Sequence, residues 1–137
     1  MAEPALAPAH VPVSELERRL GIELTSATPE RVEGSMPVDG NRQPFGVLHG
    51  GASCVLAETL ASVGGCLHFA PGAAAGTEIS ATHLRPATGG RVTGVATAVR
   101  LGRSHATYEI RVTDDQDRLV CVARMTCVAT PGTSPGR

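Results

Sequence analysis

Hydrophobic residues follow two different spacings along this chain. Between residues 50 and 69 apolar or small residues fall on almost every side of a helix, which predicts one long helix, roughly 30 Å in length and buried on most sides. After the helix, apolar residues recur at every second position instead. That change predicts strands over 77–85, 91–101, 106–112 and 119–129, and their short connections predict an antiparallel meander.

A shorter helix and two more strands are predicted before the long helix. Ser14 and Glu17 match a capping box, and Gly21 ends the helix that they begin. Alternating positions over 22–28 and 31–38 predict two strands. The elements together predict an α+β fold in which a curled antiparallel sheet wraps around a long central helix.

The chain of 137 residues is long enough for one domain with a core and too short for two. We expect that domain at 13–129. The segments 1–12 and 130–137, rich in proline together with alanine or glycine, are expected to be flexible.

Composition argues against several classes of protein. A net charge of −1 and scarce aromatic residues argue against a nucleic-acid partner. The four cysteines form no C-x-x-C pair and are predicted to be buried free thiols, which favours a reducing, cytoplasmic location. The first residues do not resemble a secretory signal. No run of about 18 apolar residues suggests a membrane span, so no membrane partner is expected.

The start of the long helix is the first candidate site. Gly50 and Gly51 follow His49 there, and the first amides of a helix have no partner within it and carry the positive end of its dipole. Such amides can stabilise a developing oxyanion. A tight turn with no chemical role is the alternative.

Glu58 is the second candidate, because it is the single carboxylate on an otherwise apolar helix. The neighbouring apolar residues predict partial burial, which would make it a better general base; a solvated surface glutamate is the alternative. Cys54 and Ser62 share its stripe, and Ser62 could bond the same substrate or a water. Gln43 and His49 flank the loop before the helix. Gln43 could orient a water or a carbonyl, and His49 could donate to a substrate oxygen or simply cap the turn.

Two later segments carry cations and small donors at strand ends. They are Thr82–Pro86, with His83 and Arg85, and Gly102–His105, with Arg103 and Ser104. A phosphate-bearing tail needs such groups, although ordinary strand-end polarity gives the same pattern. The histidines lack the spacing of a metal site, and no G-x-S-x-G motif is present, so neither a metal nor a serine triad is predicted.

These residues resemble the hotdog-fold acyl-CoA thioesterases of the PaaI-like superfamily over roughly 15–129. The similarity is greatest to the branch of the Arthrobacter-type 4-hydroxybenzoyl-CoA thioesterases and the enterobactin-pathway proofreading thioesterases. The matching segments are RQPFGVLHGG at 42–51, AETLAS at 57–62, LRP at 84–86 and LGRSH at 101–105.

The resemblance implies a role for each matching residue. Glu58 would be the nucleophile or the general base, with Ser62 beside the attacking group. The Gly50 amide would polarise the thioester carbonyl, and Gln43 and His49 would orient the carbonyl or the water. His83 would lie near the acyl pocket. Coenzyme A would be held by five residues: Arg85, Gly102, Arg103, Ser104 and His105.

The resemblance also implies an assembly. Two chains would join their sheets edge to edge, with Glu58 and Ser62 from one chain and Gln43, His49 and Gly50 from its partner. Pairs of such dimers would form a homotetramer. No metal or organic cofactor is implied, since coenzyme A is part of the substrate.

The implied reaction is hydrolysis of an aryl- or medium-chain acyl-CoA, or of a carrier-protein thioester, to the free acid and thiol. Two other functions stay open. One is a hotdog dehydratase or hydratase acting on 3-hydroxyacyl thioesters, and the other is a module that binds acyl-CoA without cleaving it. The acyl pocket is expected along helix residues such as Ser62, Val63 and Cys66, together with parts of neighbouring chains.

Overall fold

One long helix packs against one face of a single six-stranded antiparallel sheet in the computed structural model, which describes residues 14–131. The curled, open sheet confirms the predicted α+β hotdog architecture. In chain order the elements are α1 (Glu15–Leu20), β1 (Glu23–Ala27), β2 (Arg31–Pro37), α2 (Gly50–Phe69), β3 (Ala73–His83), β4 (Arg91–Leu101), β5 (His105–Thr113) and β6 (Leu119–Thr130).

The predicted flexible segments fall mostly outside the described residues. Segment 1–12 lies entirely outside them, as does residue 13, and of the predicted tail only residues 130 and 131 are described. Thr130 is the last residue of β6 and pairs with Ala73, so the ordered strand extends one residue past the predicted domain boundary.

Both predicted helices are confirmed by their end contacts. At α1 the Ser14 N–H donates to the Glu17 carboxylate at 2.9 Å, which completes the capping box, and Gly21 ends the helix in a left-handed conformation. At α2 the side chain of His49 accepts from the Gly51 N–H. The long helix therefore begins where the sequence predicts.

The predicted four-strand meander is wrong at one strand. The sheet order is β1-β2-β4-β5-β6-β3, so β3 pairs with β6 and not with β4. Both edges of β4 are occupied, one by β2 and the other by β5. Strand β3 also starts at Ala73 rather than at 77, because pairing with β6 orders an Ala/Gly-rich run that shows no periodicity of its own.

Small residues let the sheet approach α2 closely. A Cβ on Gly94 of β4 would lie 2.7 Å from the Cδ1 of Leu60, and a Cβ on Gly64 of α2 would lie 2.6 Å from the Tyr108 hydroxyl. Leu60 and Tyr108 are fully buried. The phenol donates to the backbone carbonyl of Pro29 at 2.5 Å. Close packing at these glycines fixes the position of α2 and of the side chains it carries.

Helix α2 is long and apolar enough, by length and composition alone, to cross a membrane, although the sequence predicted no such run. Half of that stretch is buried within this chain, as expected for the core helix of a globular domain.

All four cysteines are free thiols, as predicted, but only Cys121 and Cys127 are fully buried; Cys54 and Cys66 are half-buried.

Strand β3 is an edge strand of eleven residues. It pairs with β6 on one side and has no strand on the other within residues 14–131. Most of its residues are exposed. A long uncovered edge of this kind presents a row of backbone donors and acceptors that can pair with another strand.

Candidate active site

The first amides of α2 differ in whether they have a partner. The Gly51 N–H donates to Nδ1 of His49 at 2.8 Å, and the Ala52 N–H donates to the His49 carbonyl at 3.0 Å. Gly50 is the first helical residue, so its N–H has no partner inside the helix. The Gly50 amide is thus available at the positive end of the dipole, as the sequence predicted.

His49 therefore caps the helix through one ring nitrogen. Because Nδ1 accepts a hydrogen bond, the neutral ring carries its hydrogen on Nε2. The side chain is exposed, so Nε2–H can donate to a ligand. Capping and ligand binding, which the sequence posed as alternatives, are compatible in this geometry.

His83 lies against the same amide. A Cβ built on Gly50 would lie 2.8 Å from Nε2 of His83 and within 3.3 Å of two of its ring carbons. Only glycine leaves room there for the imidazole, so this glycine is required by close approach and not merely by a turn. The structure thereby brings two predicted site residues from separate segments into contact.

Gln43, Gly50 and His83 line one open cavity of about 330 Å³ beside the helix start. The Gln43 side-chain oxygen accepts from the Phe45 N–H, which leaves its NH₂ group free to donate. The remaining lining is mainly apolar and comes from the loop before α2, from α2 itself, from the β3–β4 connection and from β6: Val47, Leu48, Ser53, Leu84, Arg85, Pro86, Ala87 and Val120. The cavity can hold an apolar group with donors at its mouth.

This cavity differs from the acyl pocket predicted from sequence. None of Ser62, Val63 and Cys66 lines it. Leu84 and Ser53, which do line it, were not expected there. Leu84 is about half exposed although it is apolar, and Ser53 is fully buried. Helical spacing alone did not indicate either residue, because their position depends on how the β3–β4 connection crosses the helix start.

Glu58 is exposed in the single chain, which contradicts the partial burial predicted from its apolar neighbours. Those neighbours, Leu56, Ala57, Leu60 and Ala61, face the sheet and are fully buried, whereas Glu58 points away from the core. Its carboxylate lies over the edge strand: a Cβ built on Gly76 would be 2.9 Å from Oε1. The acid thus sits beside the uncovered edge of β3.

The stripe predicted on α2 is confirmed in part. Cys54 and Ser62, one turn before and after Glu58, are both half-buried. Burial, and after it the charge of Glu58, raise the pKa of the Cys54 thiol. A raised pKa keeps the Cys54 thiol protonated near neutral pH, which makes it a poor nucleophile.

The two segments predicted to hold coenzyme A lie at opposite ends of the sheet. His83 pairs with Cys121 of β6, and His105 pairs with Val128, seven residues further along that strand. At 3.3 Å per residue the separation is about 23 Å. Arg85 lines the cavity at the helix start, so within one chain it is not brought together with the 102–105 turn.

The 102–105 turn is exposed at its tip and cationic. Arg103, Ser104 and His105 are all exposed, and the Ser104 hydroxyl lies 3.0 Å from Nδ1 of His105. The Gly102 N–H closes the turn on the His105 carbonyl at 2.8 Å. Within residues 14–131 no three His, Cys, Asp or Glu side chains lie close enough together to hold a metal ion.

The chain is similar to known proteins in both sequence and structure. Residues 45–121 match the family model described as the thioesterase superfamily. The proofreading thioesterase EntH of Cronobacter turicensis is 46% identical over 115 residues, which cover 82% of this chain and 84% of that protein.

Solved structures of similar proteins share the architecture. A thioesterase from Haemophilus influenzae has a TM-score of 0.82 and 38% identity, over 89% of this chain and 87% of that one. The E. coli PaaI protein from the phenylacetic acid degradation operon has a TM-score of 0.79 at 22% identity, over 88% of this chain and 87% of that one, which supports the fold alone.

Proposed function

The chain belongs to the thioesterase superfamily, and we propose that it hydrolyses acyl- or aroyl-CoA thioesters at a site built by two copies of the chain. The observation that carries the two-chain arrangement is the position of Glu58 relative to Gly50. Eight residues of helix separate them, which is about 12 Å along the axis. A carboxylate that attacks a carbonyl and an amide that stabilises its oxygen must both lie within about 3–3.5 Å of the reacting group. One chain alone does not meet that requirement.

A second chain paired along β3 would bring a carboxylate and a helix-start amide close to the same substrate. Two identical edge strands related by a two-fold axis pair antiparallel, so each end of β3 meets the opposite end of the partner strand. Glu58 lies over β3 near Gly76, and His83 is the last residue of that strand. Pairing therefore moves the acid of one chain towards the helix start of the other, and it covers the edge that is bare in the single chain.

The same pairing brings together the two halves of the coenzyme A site. The Gly50 end of one chain meets the 102–105 end of its partner, because these segments lie at opposite ends of one sheet. The cationic turn of the partner then lies on the side from which the phosphates of coenzyme A would extend. We propose the homodimer as the active unit, with pairs of dimers forming the tetramer.

In the proposed reaction the acyl group enters the cavity beside the helix start. The Gly50 N–H donates to the thioester oxygen, with the Gln43 NH₂ and the His49 Nε2–H donating to the oxygen or to the water. Glu58 of the partner subunit attacks the carbonyl carbon or takes a proton from an attacking water. If Glu58 attacks, the C–S bond breaks to give a mixed anhydride with Glu58, and water then cleaves that anhydride and frees the carboxylate; if Glu58 acts as a base, water adds directly and the C–S bond breaks. On either route one water is consumed: its oxygen enters the acid and one of its protons reaches the thiolate. Ser62 lies one turn from Glu58 and would hydrogen-bond the attacking group.

The cavity favours a compact acyl group. Its volume of about 330 Å³ is at the low end for small-molecule sites, and its walls are mostly apolar. An aryl or medium-chain acyl group fits this description. No cofactor is required, and the free thiols are consistent with a cytoplasmic enzyme.

The test is a panel of aryl- and aliphatic-CoA esters, with one carrier-protein thioester, assayed with wild type, Glu58→Ala, Glu58→Asp and Glu58→Gln. We expect a loss in kcat of roughly 10²- to 10⁴-fold in Glu58→Ala and Glu58→Gln. Glu109→Ala, which removes an exposed carboxylate on β5, is the matched control and should retain activity. Wild-type turnover by Glu58→Ala would contradict the proposal. Hydration of an enoyl thioester would indicate the dehydratase class, and bound but intact acyl-CoA would indicate a binding module.

A further inference from the structure

We propose that His68 is a positioning residue that holds the 102–105 turn in the shape that binds the nucleotide part of coenzyme A. The inference rests on the proposed function. It assigns a role to a residue in the last turn of α2 that neither the helix pattern nor the motifs indicated. Its Nε2 lies 2.7 Å from the backbone carbonyl of Gly102. Because a carbonyl only accepts, Nε2 carries the hydrogen in this contact.

The other tethers of the turn are made by the backbone. The Gly102 N–H donates to the His105 carbonyl, and the Ala129 N–H donates to the Ser104 carbonyl, each at 2.8 Å. These bonds tie the turn to itself and to β6. The His68 contact ties it to α2, the helix that also carries Glu58. The contact is half-buried, so water competes for it less than at the exposed tip.

The Gly102 peptide, whose carbonyl His68 holds, is packed against the rest of the turn. A Cβ on Gly102 would lie 2.8 Å from the His105 carbonyl oxygen, so the chain is already tightly folded there. The side chains of Arg103 and Ser104 project from the segment between the tethered carbonyls. A shift of the Gly102 peptide would therefore move the groups proposed to meet the phosphates.

The position of His68 separates binding from chemistry. Ten residues of helix lie between Glu58 and His68, which is about 15 Å along the axis. At that distance His68 does not touch the thioester that the Glu58 of its own chain attacks. Its loss should therefore weaken binding of the nucleotide and leave the chemical step unchanged.

The test compares two substrates that carry the same acyl group, the CoA ester and the N-acetylcysteamine thioester, which lacks the nucleotide. His68→Phe keeps a ring beside Phe69 and removes the donor, and His68→Gln restores an N–H. We expect His68→Phe to raise KM for the CoA ester by roughly 3- to 10-fold with kcat unchanged, because without this hydrogen bond the turn adopts its binding shape in a smaller fraction of the molecules. Both constants for the truncated thioester should match wild type, and His68→Gln should return KM to within about twofold of wild type.

An equal rise in KM for both substrates, a fall in kcat, or no change in KM would overturn the inference. Arg103→Ala separates it from the proposed function. If Arg103→Ala raises KM for the CoA ester and His68→Phe does not, the nucleotide binds at the turn and the role of His68 is wrong. If Arg103→Ala has no effect while Glu58→Ala is inactive, hydrolysis stands, and both the nucleotide site and the inference are overturned.

Discussion

His49 offers the sharpest separation of structural from catalytic roles at this site. Its Nδ1 accepts from the Gly51 N–H at 2.8 Å, and its Nε2–H faces outward. His49→Ala removes both functions. His49→Asn removes the outward N–H but supplies a side-chain oxygen that caps helix starts well. Comparing the two variants therefore separates capping, which is measured as stability, from donation by Nε2–H, which is measured as kcat.

The cost to stability follows from the single lost cap. Replacing a capping side chain by alanine costs about 1 kcal/mol, and the exposed position of His49 gives no reason for a larger value. For a domain of this size that corresponds to a fall in melting temperature of about 3–5 °C. His49→Asn should melt within about 1 °C of wild type, since the Gly51 amide keeps an acceptor.

The loss of catalysis should depend on the other ring nitrogen of His49, Nε2. Neither variant places a donor where Nε2–H lies, so we expect kcat to fall roughly 10- to 100-fold in both. The assays are thermal unfolding at one fixed protein concentration, because dimerisation makes the midpoint depend on concentration, and steady-state hydrolysis of the best CoA ester. If His49→Asn restores kcat together with stability, His49 is only a cap and the reasoning is refuted.

Three further changes test other parts of the account. Gly50→Ala keeps the backbone N–H but places a methyl group against the exposed His83 ring, which must move; we expect kcat to fall by roughly 10²-fold through misplacement of the ring or the substrate, with little loss of stability, and unchanged kcat would contradict the need for close approach at this glycine. Gly94→Ala should cost about 1–3 kcal/mol in urea unfolding through its clash with Leu60, and less when Leu60→Ala is also present; additive costs would contradict that clash. Burial raises the pKa of Tyr108 from its ordinary value of 10.0, so the stability linked to its proton is complete below that pH and is lost as pH rises further. Above about pH 10 the free energy of unfolding of Tyr108→Phe should therefore fall less steeply with pH than that of wild type. Equal slopes in the two proteins would contradict the assignment of this pH dependence to Tyr108.

Local patterns predicted the elements well, and they failed where pairing is set at long range. The capping box at Ser14 and the helix over 50–69 depend on neighbouring residues, and both are confirmed. The partner of β3 depends on which edges the other strands occupy, which no local pattern reports. The early start of β3 at Ala73 has the same origin, because pairing with β6 orders a run of small residues.

The predictions for the candidate site also succeeded where they depend on neighbouring residues and failed where they depend on how the sheet packs on α2. The Gly50 amide and the capping by His49 follow from position at a helix start, and the structure places both as expected. The contact of His83 with Gly50 and the exposure of Glu58 depend on which face of α2 the sheet covers. Apolar neighbours predicted a buried acid because helical spacing does not show that the sheet leaves one stripe uncovered beside β3.

Glu58 of one chain is proposed to work with Gln43 and Gly50 of the other. Glu58→Ala and Gln43→Ala each remove one side of this shared site, so we expect both to be inactive alone; they are co-expressed with different tags so that subunits assort. A shared site gives each mixed dimer one intact site, so random assortment should restore about a quarter of wild-type activity. The comparison is the purified mixed dimer of the double variant with wild type, which has no intact site and should be inactive, whereas the purified Glu58→Ala/Gln43→Ala dimer should have about half the wild-type activity. Purified mixed dimers that stay as inactive as either parent would contradict the account.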